Sequence, residues 1–337
     1  MLEVTDVTVR YRVGGGVLRS PAVVHAVNGV SLSVASGESV GVVGESGCGK
    51  SSFARALAGL VPVSAGTIRV DDRELTGRRD LAAARLVQMV FQDPTASLNP
   101  RRRVGSVLAE LLAAHHLASG AAAARRVGEL LELVGLPASA AGRFPGEFSG
   151  GQRQRIGIAR ALAVEPRVLV ADEAVSALDL TTQSVITELL DRLRRDLGLA
   201  LVFISHDLGV VQAVCDRVAV MYLGMVVEHG PVSQLYADPQ HPYTQALLRA
   251  VPRVDSPRAP GRSRLPGEPP SPLATPSGCV FHPRCVVAED RCARLSPPLL
   301  RIGDRDVACH LVRPPAQAPS GTSGPSGPSG PSGRGEA

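Results

Sequence analysis

The chain has no tryptophan, and aromatics make up only 3% of its 337 residues. That scarcity argues against a single-strand nucleic-acid binder, which needs stacking platforms. Lysine is nearly absent: Lys50 stands alone, and every other basic residue is arginine. No apolar run approaches the ~18 residues of a membrane span; the longest are strand-length, such as Leu199 to Ile204. Met1 to Val7 alternates like a strand and lacks the form of a signal peptide. The expectation is a soluble, cytoplasmic chain. The net charge of +5 is carried by scattered arginines. It reads as a solvated surface, helpful near anionic lipid, and not as a nucleic-acid footprint. Heptad runs and a guanine-reading N-K-x-D are also missing.

The single lysine lies in Gly44-Glu45-Ser46-Gly47-Cys48-Gly49-Lys50-Ser51-Ser52, which fits the phosphate-loop pattern G-x-x-x-x-G-K-[ST]. An apolar strand, Val40 to Val43, leads in. A helix leads out, with Phe53 and Leu57 on one face. The glycines let backbone N–H groups curl towards a polyphosphate, and the helix start adds its positive dipole end. Lys50 suits the β- and γ-phosphates, and the Ser51 hydroxyl suits Mg²⁺. A chance G-K-S in a glycine-rich turn is the plain alternative. Cys48, beside a helix N-terminus and Lys50, is either a thiol of lowered pKa, open to alkylation that ATP would block, or a small residue that fits the turn.

Further residues sit where strands end. Residues 1 to 43 are β-rich, interrupted by Gly14-Gly15-Gly16. There Tyr11 is placed either to stack on a base or to be buried in a strand. Gln92 follows the strand Leu86 to Phe91. A largely helical region, 104 to 164, contains Phe148-Ser149-Gly150-Gly151-Gln152, with Ser149 as the N-cap of a helix. The continuous apolar run Val168 to Ala171 fits a parallel strand covered on both faces, and it ends at Asp172-Glu173. A helix from Thr181 to Leu197 places Val185, Leu189 and Leu193 at intervals of four, with Gly198 as its stop. The next strand ends at His206. Alternating strands and helices with polar residues at strand ends give an α/β fold with a mostly parallel sheet. One carboxylate of Asp172-Glu173 can serve a metal and the other a water, and adjacent anions raise each other's proton affinity, which suits a base.

Four cysteines crowd into the last quarter: Cys279, Cys285, Cys292 and Cys309, spaced C-x5-C-x6-C-x16-C. So small a segment needs a staple. In a reducing cytosol two disulfides are a poor choice. Four thiolates suit tetrahedral zinc or an iron–sulfur cluster, and the wide spacing fits a cuboidal cluster better than a zinc knuckle. His282 and His310 are alternative ligands. The role is expected to be structural, since nothing places this segment near Lys50. From 313 to 337 the Gly/Pro/Ser repeat cannot bury a core and is expected to be disordered.

The set Lys50, Gln92, Ser149–Gln152, Asp172-Glu173 and His206, in this order, resembles the nucleotide-binding subunits of ABC transporters over residues 1 to about 312. Asp172-Glu173-Ala174-Val175-Ser176-Ala177-Leu178-Asp179, with alanine where many members have proline, is similar to the oligopeptide/dipeptide importers and their nickel and glutathione relatives. So are Gln92-Asp93-Pro94 with Ser97-Leu98-Asn99-Pro100-Arg101, then His241-Pro242-Tyr243-Thr244, and Cys279 to Cys285. The long Tyr11–His25 segment looks like the second, F-type subunit. The resemblance implies a P-loop NTPase ABC ATPase domain over 1–255. That domain would have a parallel-sheet core, an N-terminal antiparallel β subdomain, a helical subdomain bearing the signature, and an importer-type extension from about 231. It also implies a small Cys-rich C-terminal domain over 256–312.

The same resemblance implies an ATPase that powers oligopeptide or dipeptide import, with nickel or glutathione as the alternative cargo. A non-transport ABC protein would carry two cassettes or a coiled-coil insertion, and this chain has neither. The implied cofactors are ATP, Mg²⁺ and a 4Fe–4S cluster on Cys279, Cys285, Cys292 and Cys309, with zinc as the alternative. By the same likeness Tyr11 stacks on adenine and Gly44 to Ser52 cradle the phosphates. Ser51, Gln92 and Asp172 serve Mg²⁺, Glu173 is the general base, and His206 contacts the γ-phosphate. Ser149, Gly150, Gly151 and Gln152 close over a partner's ATP, and Ser176, Ala177, Leu178 and Asp179 cross between the sites. Implied partners are a second ATPase subunit forming a heterodimer, two permease subunits and an extracytoplasmic binding protein. The implied place is peripheral, on the cytoplasmic face of the membrane, without nucleic acid.

Overall fold

The computed structural model describes residues 1–14, 22–77, 79–93, 98–250 and 267–312. Gly15, Gly16, Pro94, Ser97, residues 251–266 and the Gly/Pro/Ser tail lie outside the described residues, as do the expectations that fall on them.

Two antiparallel strands come first, β1 (Leu2–Val13) and β2 (Ala22–Val34). In β1 the inward positions run Leu2, Val4, then Val7 and Val9, a change of phase that an unbroken strand cannot accommodate. A bulge absorbs it: Asp6 takes φ 50°, and the pairing shifts between Val4 and Val7. All four apolar side chains then reach one core. After β3 (Ser39–Val43), the strands β4 (Ala65–Val70) and β5 (Arg73–Glu74) complete a four-stranded sheet in the order β2-β1-β4-β5.

The second sheet holds the functional residues. Its strands β3, β6 (Val87–Val90), β7 (Val168–Asp172), β8 (Ala200–Ile204) and β9 (Arg217–Tyr222) are parallel, in the order β9-β3-β8-β7-β6. Successive side chains go to opposite faces. Val40, Val168, Val170, Val202 and Ile204 share a core with β1, β2 and the helix α1 (Lys50–Leu57). Leu169, Ala171, Leu201 and Phe203 face the other core. That second core is closed by the helical region. Its helices are α3 (Val104–Ala114), α4 (Gly120–Leu133) and α5 (Gly150–Leu162), whereas α2 (Leu81–Leu86), which leads into β6, buries Ala83 in the first core.

The helix α6 (Leu180–Leu197) is capped by Asp179, whose carboxylate accepts from the Thr182 N–H at 3.0 Å, and it stops at Gly198 with φ 64°. Its buried face is Ile186, Leu189, Leu190 and Leu193. The sequence reading put Val185 on that face, but it is 39% exposed. The pair Leu189/Leu190 widens the stripe and rotates it by one residue. The remaining α-helices among the described residues are α7 (Leu208–Val214), α8 (Val232–Ala237), α9 (Pro242–Ala250) and α10 (Asp290–Arg294). Among the described residues no helix is long and apolar enough to cross a membrane.

Beyond β9 the main sheet turns antiparallel. β10 (Met225–Pro231) pairs with β9, β12 (Arg305–Val307) with β10, and β11 (Leu300–Ile302) with β12. The cysteine-bearing segment therefore does not stand apart. It shares the sheet's hydrogen-bond ladder, and its Val280 and Phe281 belong to the ATPase core. The apolar burial that so short a segment cannot supply alone comes from the neighbouring sheet.

Candidate active site

The phosphate loop lies at the end of β3, whose five residues are all buried. Two of its glycines are required by close approach. A Cβ at Gly44 would lie 2.2 Å from the Met221 carbonyl oxygen, and one at Gly49 would lie 2.0 Å from that of Ala26. Both have positive φ, 155° and 106°. The loop is pinned where the Gly224 N–H donates to the Cys48 carbonyl at 2.7 Å. Lys50, 4% exposed, donates from Nζ to the carbonyls of Gly44 (2.8 Å) and Glu45 (2.9 Å). Its ammonium thus sits inside the turn that would hold the phosphates.

The Cys48 thiol departs from the sequence reading. Burial raises its pKa, and this outweighs the lowering from nearby Lys50. Desolvation penalises a thiolate in the core more than one adjacent cation stabilises it. The reactive-thiol expectation is therefore corrected to a small, buried residue of the turn.

Ser51 donates from Oγ to Asp172 Oδ1 at 3.1 Å, which brings a hydroxyl and a carboxylate together at the mouth of the loop. Burial, and to a lesser extent Glu173, raises the Asp172 pKa. Glu173 takes φ 47°, left-handed backbone for a non-glycine residue, held by its N–H on the Ile204 carbonyl at 2.9 Å. Such a conformation costs on the order of 1–2 kcal/mol, offset by the sheet that fixes it. His206 Nδ1 lies 3.4 Å from Glu173 Oε1. Ser176 donates from Oγ to the Glu173 carbonyl at 3.0 Å, and Gln92 Nε2 donates to Ser176 Oγ at 3.2 Å. Gln92, Ser176, Glu173 and His206 therefore form one connected set.

Of this set Glu173 lines a cleft of about 320 Å³, together with Tyr11 and Ser46 to Ser52. Tyr11 is partly buried and donates its hydroxyl to Ser52 Oγ at 3.3 Å. Two family matches and three relatives of known name or structure bear on what the cleft holds. Residues 27–176 match the family described as "ABC transporter", and residues 227–292 match "Oligopeptide/dipeptide transporter, C-terminal region". A Brucella abortus protein, provisionally named a peptide import ATP-binding protein, is 52% identical over 312 residues, covering 91% of this chain and 92% of its own. The oligopeptide transport ATP-binding protein OppF of Escherichia coli is 46% identical, covering 93% and 97%. This chain belongs to the peptide-importer ATP-binding subunits of ABC transporters. The ATP-binding cassette MJ0796, solved as a dimer bound to ADP and Pi, superposes with a TM-score of 0.59 at 28% identity, over 69% of this chain and 99% of its own.

In this ABC ATPase the stretch Ser149 to Gln152 opens α5. Ser149 caps that helix: its N–H donates to Gln152 Oε1 at 3.0 Å, and the Gln152 N–H returns a bond to Ser149 Oγ at 3.3 Å. Gly151 packs on α6, where a Cβ would meet Thr182 Cγ2 at 2.5 Å. Ser149 and Gly150 are exposed, and neither lines the ATPase's own cleft. Sequence reasoning missed six cleft residues, Val24, His25, Ala26, Leu223, Gly224 and Pro272. None carries a motif, and Pro272 comes from a proline-rich stretch that reads as linker.

The cysteine segment lies against this ATPase core. Cys279, Cys285, Cys292 and Cys309 are all free and border one small pocket with His241, Phe281, His282 and His310. Burial raises the pKa of Cys279, Cys285 and Cys309. His282 Nδ1 and His310 Nε2 each contact a backbone carbonyl, those of Cys279 (3.0 Å) and Leu295 (2.7 Å). Among the described residues, no group of three or more His, Cys, Asp or Glu side chains converges on a single metal ion. One expectation is overturned. The segment is not remote from Lys50, because Arg284, next to Cys285, reaches Glu45 of the phosphate loop at 2.6 Å.

Proposed function

We propose that this subunit hydrolyses ATP to drive import of oligopeptides or dipeptides through separate membrane permeases, fed by an extracytoplasmic binding protein. The carrying observation is the junction, in one chain, of the phosphate-loop cleft with a region of the oligopeptide/dipeptide type. The names of its relatives favour peptide over nickel or glutathione. The subunit would attach peripherally to the membrane and pair with a second ATPase, which we take to be a different chain. The test is proteoliposomes holding the subunit with its permeases, second ATPase and binding protein. ATP-dependent uptake of labelled di- or oligopeptides is expected, and uptake of nickel or glutathione alone would overturn the cargo.

In this reading Tyr11 stacks on adenine, the loop Gly44 to Ser52 cradles the phosphates, and Lys50 moves from the two carbonyls it now bonds to the β- and γ-phosphates. A hard divalent ion fits the oxygens of Ser51 and Asp172, with Gln92 near; when bound, Mg²⁺ neutralises phosphate charge. Glu173 takes the proton of the attacking water, and His206 contacts the γ-phosphate. Gln92 orients that water and senses the permeases. Ser149 to Gln152 close over the partner's nucleotide, and Ser176 to Asp179 run between the two sites. Residues 1–255 act as the ATPase unit and 256–312 as an accessory segment.

For the four cysteines we retain a 4Fe–4S cluster. Ligands of one zinc ion stand about 4 Å apart, given Zn–S near 2.3 Å. A cuboidal cluster holds its thiolates farther apart. What supports the cluster is that four free thiols border one shared pocket; no group that could hold a metal ion is present among the described residues. It would supply a covalent staple. Anaerobically purified protein would then be brown, with about four irons per chain; a colourless chain with one zinc, or no metal, overturns it.

A further inference from the structure

The described contacts of Glu45 tie the phosphate loop to the C-terminal segment. Arg284 is nearly enclosed, with its side chain 4% exposed. Its Nη1 donates to Glu45 Oε2 at 2.6 Å and its Nη2 to Glu45 Oε1 at 3.0 Å, a two-pronged pair. Tyr222 backs it, with the hydroxyl 3.4 Å from Nη1. The same Glu45 donates its N–H to the Tyr243 hydroxyl at 2.8 Å and accepts from Lys50 at its carbonyl. Glu45 is thus held through N–H, carbonyl and carboxylate. Pro272 of the same C-terminal segment also lines the nucleotide cleft.

We propose that Arg284 is a positioning residue for ATP, acting through Glu45. A carboxylate within a loop built to hold a polyphosphate repels its ligand unless neutralised. Arg284 neutralises it and fixes the loop's direction by a rigid fork that a lysine ammonium cannot reproduce. The C-terminal segment thereby sets the affinity of the site. This rests on the ATP site assigned above.

The experiment measures binding of a non-hydrolysed ATP analogue to the full chain, and KM and kcat in the assembled transporter. Arg284→Met is expected to weaken binding about tenfold and to raise KM with kcat nearly unchanged. Glu45→Gln serves as the reference: adding Arg284→Met to it changes affinity by no more than about twofold, because the stranded anion is gone. Unchanged binding in Arg284→Met overturns the proposal. So does a loss that persists in the double variant, since that is the mark of a packing role. If Arg284→Met does not fold, Arg284→Lys replaces it; a loss of about threefold cancelled by Glu45→Gln supports the proposal, and no loss overturns it. Lys50→Ala is the separate control: if it retains nucleotide, the ATP-site assignment fails and not the role of Arg284.

Discussion

At one end of the main sheet, β3, β7 and β8 run parallel, are buried on both faces, and deliver Gly44, Asp172 and Ser205 to a common rim. At the other edge, β10, β12 and β11 run antiparallel and are tied by polar side chains. His229 lies between Arg217 (2.9 Å) and Asp306 (3.4 Å), and Arg305 reaches Asp238 at 3.3 Å. The first region fixes its rim residues through backbone geometry, which point substitutions hardly disturb. The second is attached by Phe281, Arg284 and a short ladder, so single side chains carry its coupling to the ATP site.

The largest effect tests the parallel end. Glu173→Gln keeps the shape and removes the proposed proton acceptor, so turnover should fall about 10²–10⁴-fold while ATP still binds. Near-wild-type turnover in the assembled transporter would take the base away from Glu173. Next comes the join between the regions. Phe281 is 2% exposed and packs edge-on to Tyr222, with ring centroids 5.2 Å apart. Phe281→Ala should cost about 3–5 kcal/mol, read in a single denaturation transition for the whole chain. Two transitions would show that the cysteine segment unfolds by itself.

A third test uses acid. Burial lowers the His241 pKa to about 4, and its Nδ1 accepts the Tyr243 N–H at 3.0 Å, which requires the neutral ring. The unfolded value is near 6.5. Stability from this residue is therefore complete above about pH 6.5 and is lost as pH falls towards 4, by on the order of 3 kcal/mol. Glu228, raised by burial, contributes with the opposite sign. The readout is therefore the difference between wild type and His241→Gln in urea midpoints from pH 7.5 to 4.5; parallel curves would refute it. The smallest effect concerns Cys48. At 5% exposure and with a raised pKa, it should resist maleimide in the native chain at pH 7. Rapid labelling that ATP blocks would restore the reactive-thiol reading.

The two regions were not equally legible. Gly44 to Ser52, Asp172-Glu173 and Ser149 to Gln152 are runs of neighbouring residues whose types announce a loop, a strand end and a helix cap. The sequence pattern also carries the parallel strands, since continuous apolar runs need cover on both faces. The Arg284–Glu45 pair joins residues 239 apart, and no period or spacing encodes such a contact. Cys48 misled because its neighbours in sequence suggested activation, whereas burial, a property of the fold, dominates. Val185 misled because a period of four drifts off a helix of 3.6 residues per turn.

The order of the outer strands bears on how the chain is made. β10 spans Met225–Pro231, and its outer side is covered only by β12, which the ribosome delivers some seventy residues later. Until Arg305–Val307 emerges, the sheet presents a row of unpaired N–H and C=O groups to any neighbouring chain. Once β12 docks, the exposed edge becomes β11, only three residues long and bearing Arg301 outward with 64% of its side chain exposed. A brief, charged edge is a poor template for pairing. Among the described strands, the C-terminal pair therefore leaves this side of the folded sheet with an edge ill suited to joining another chain.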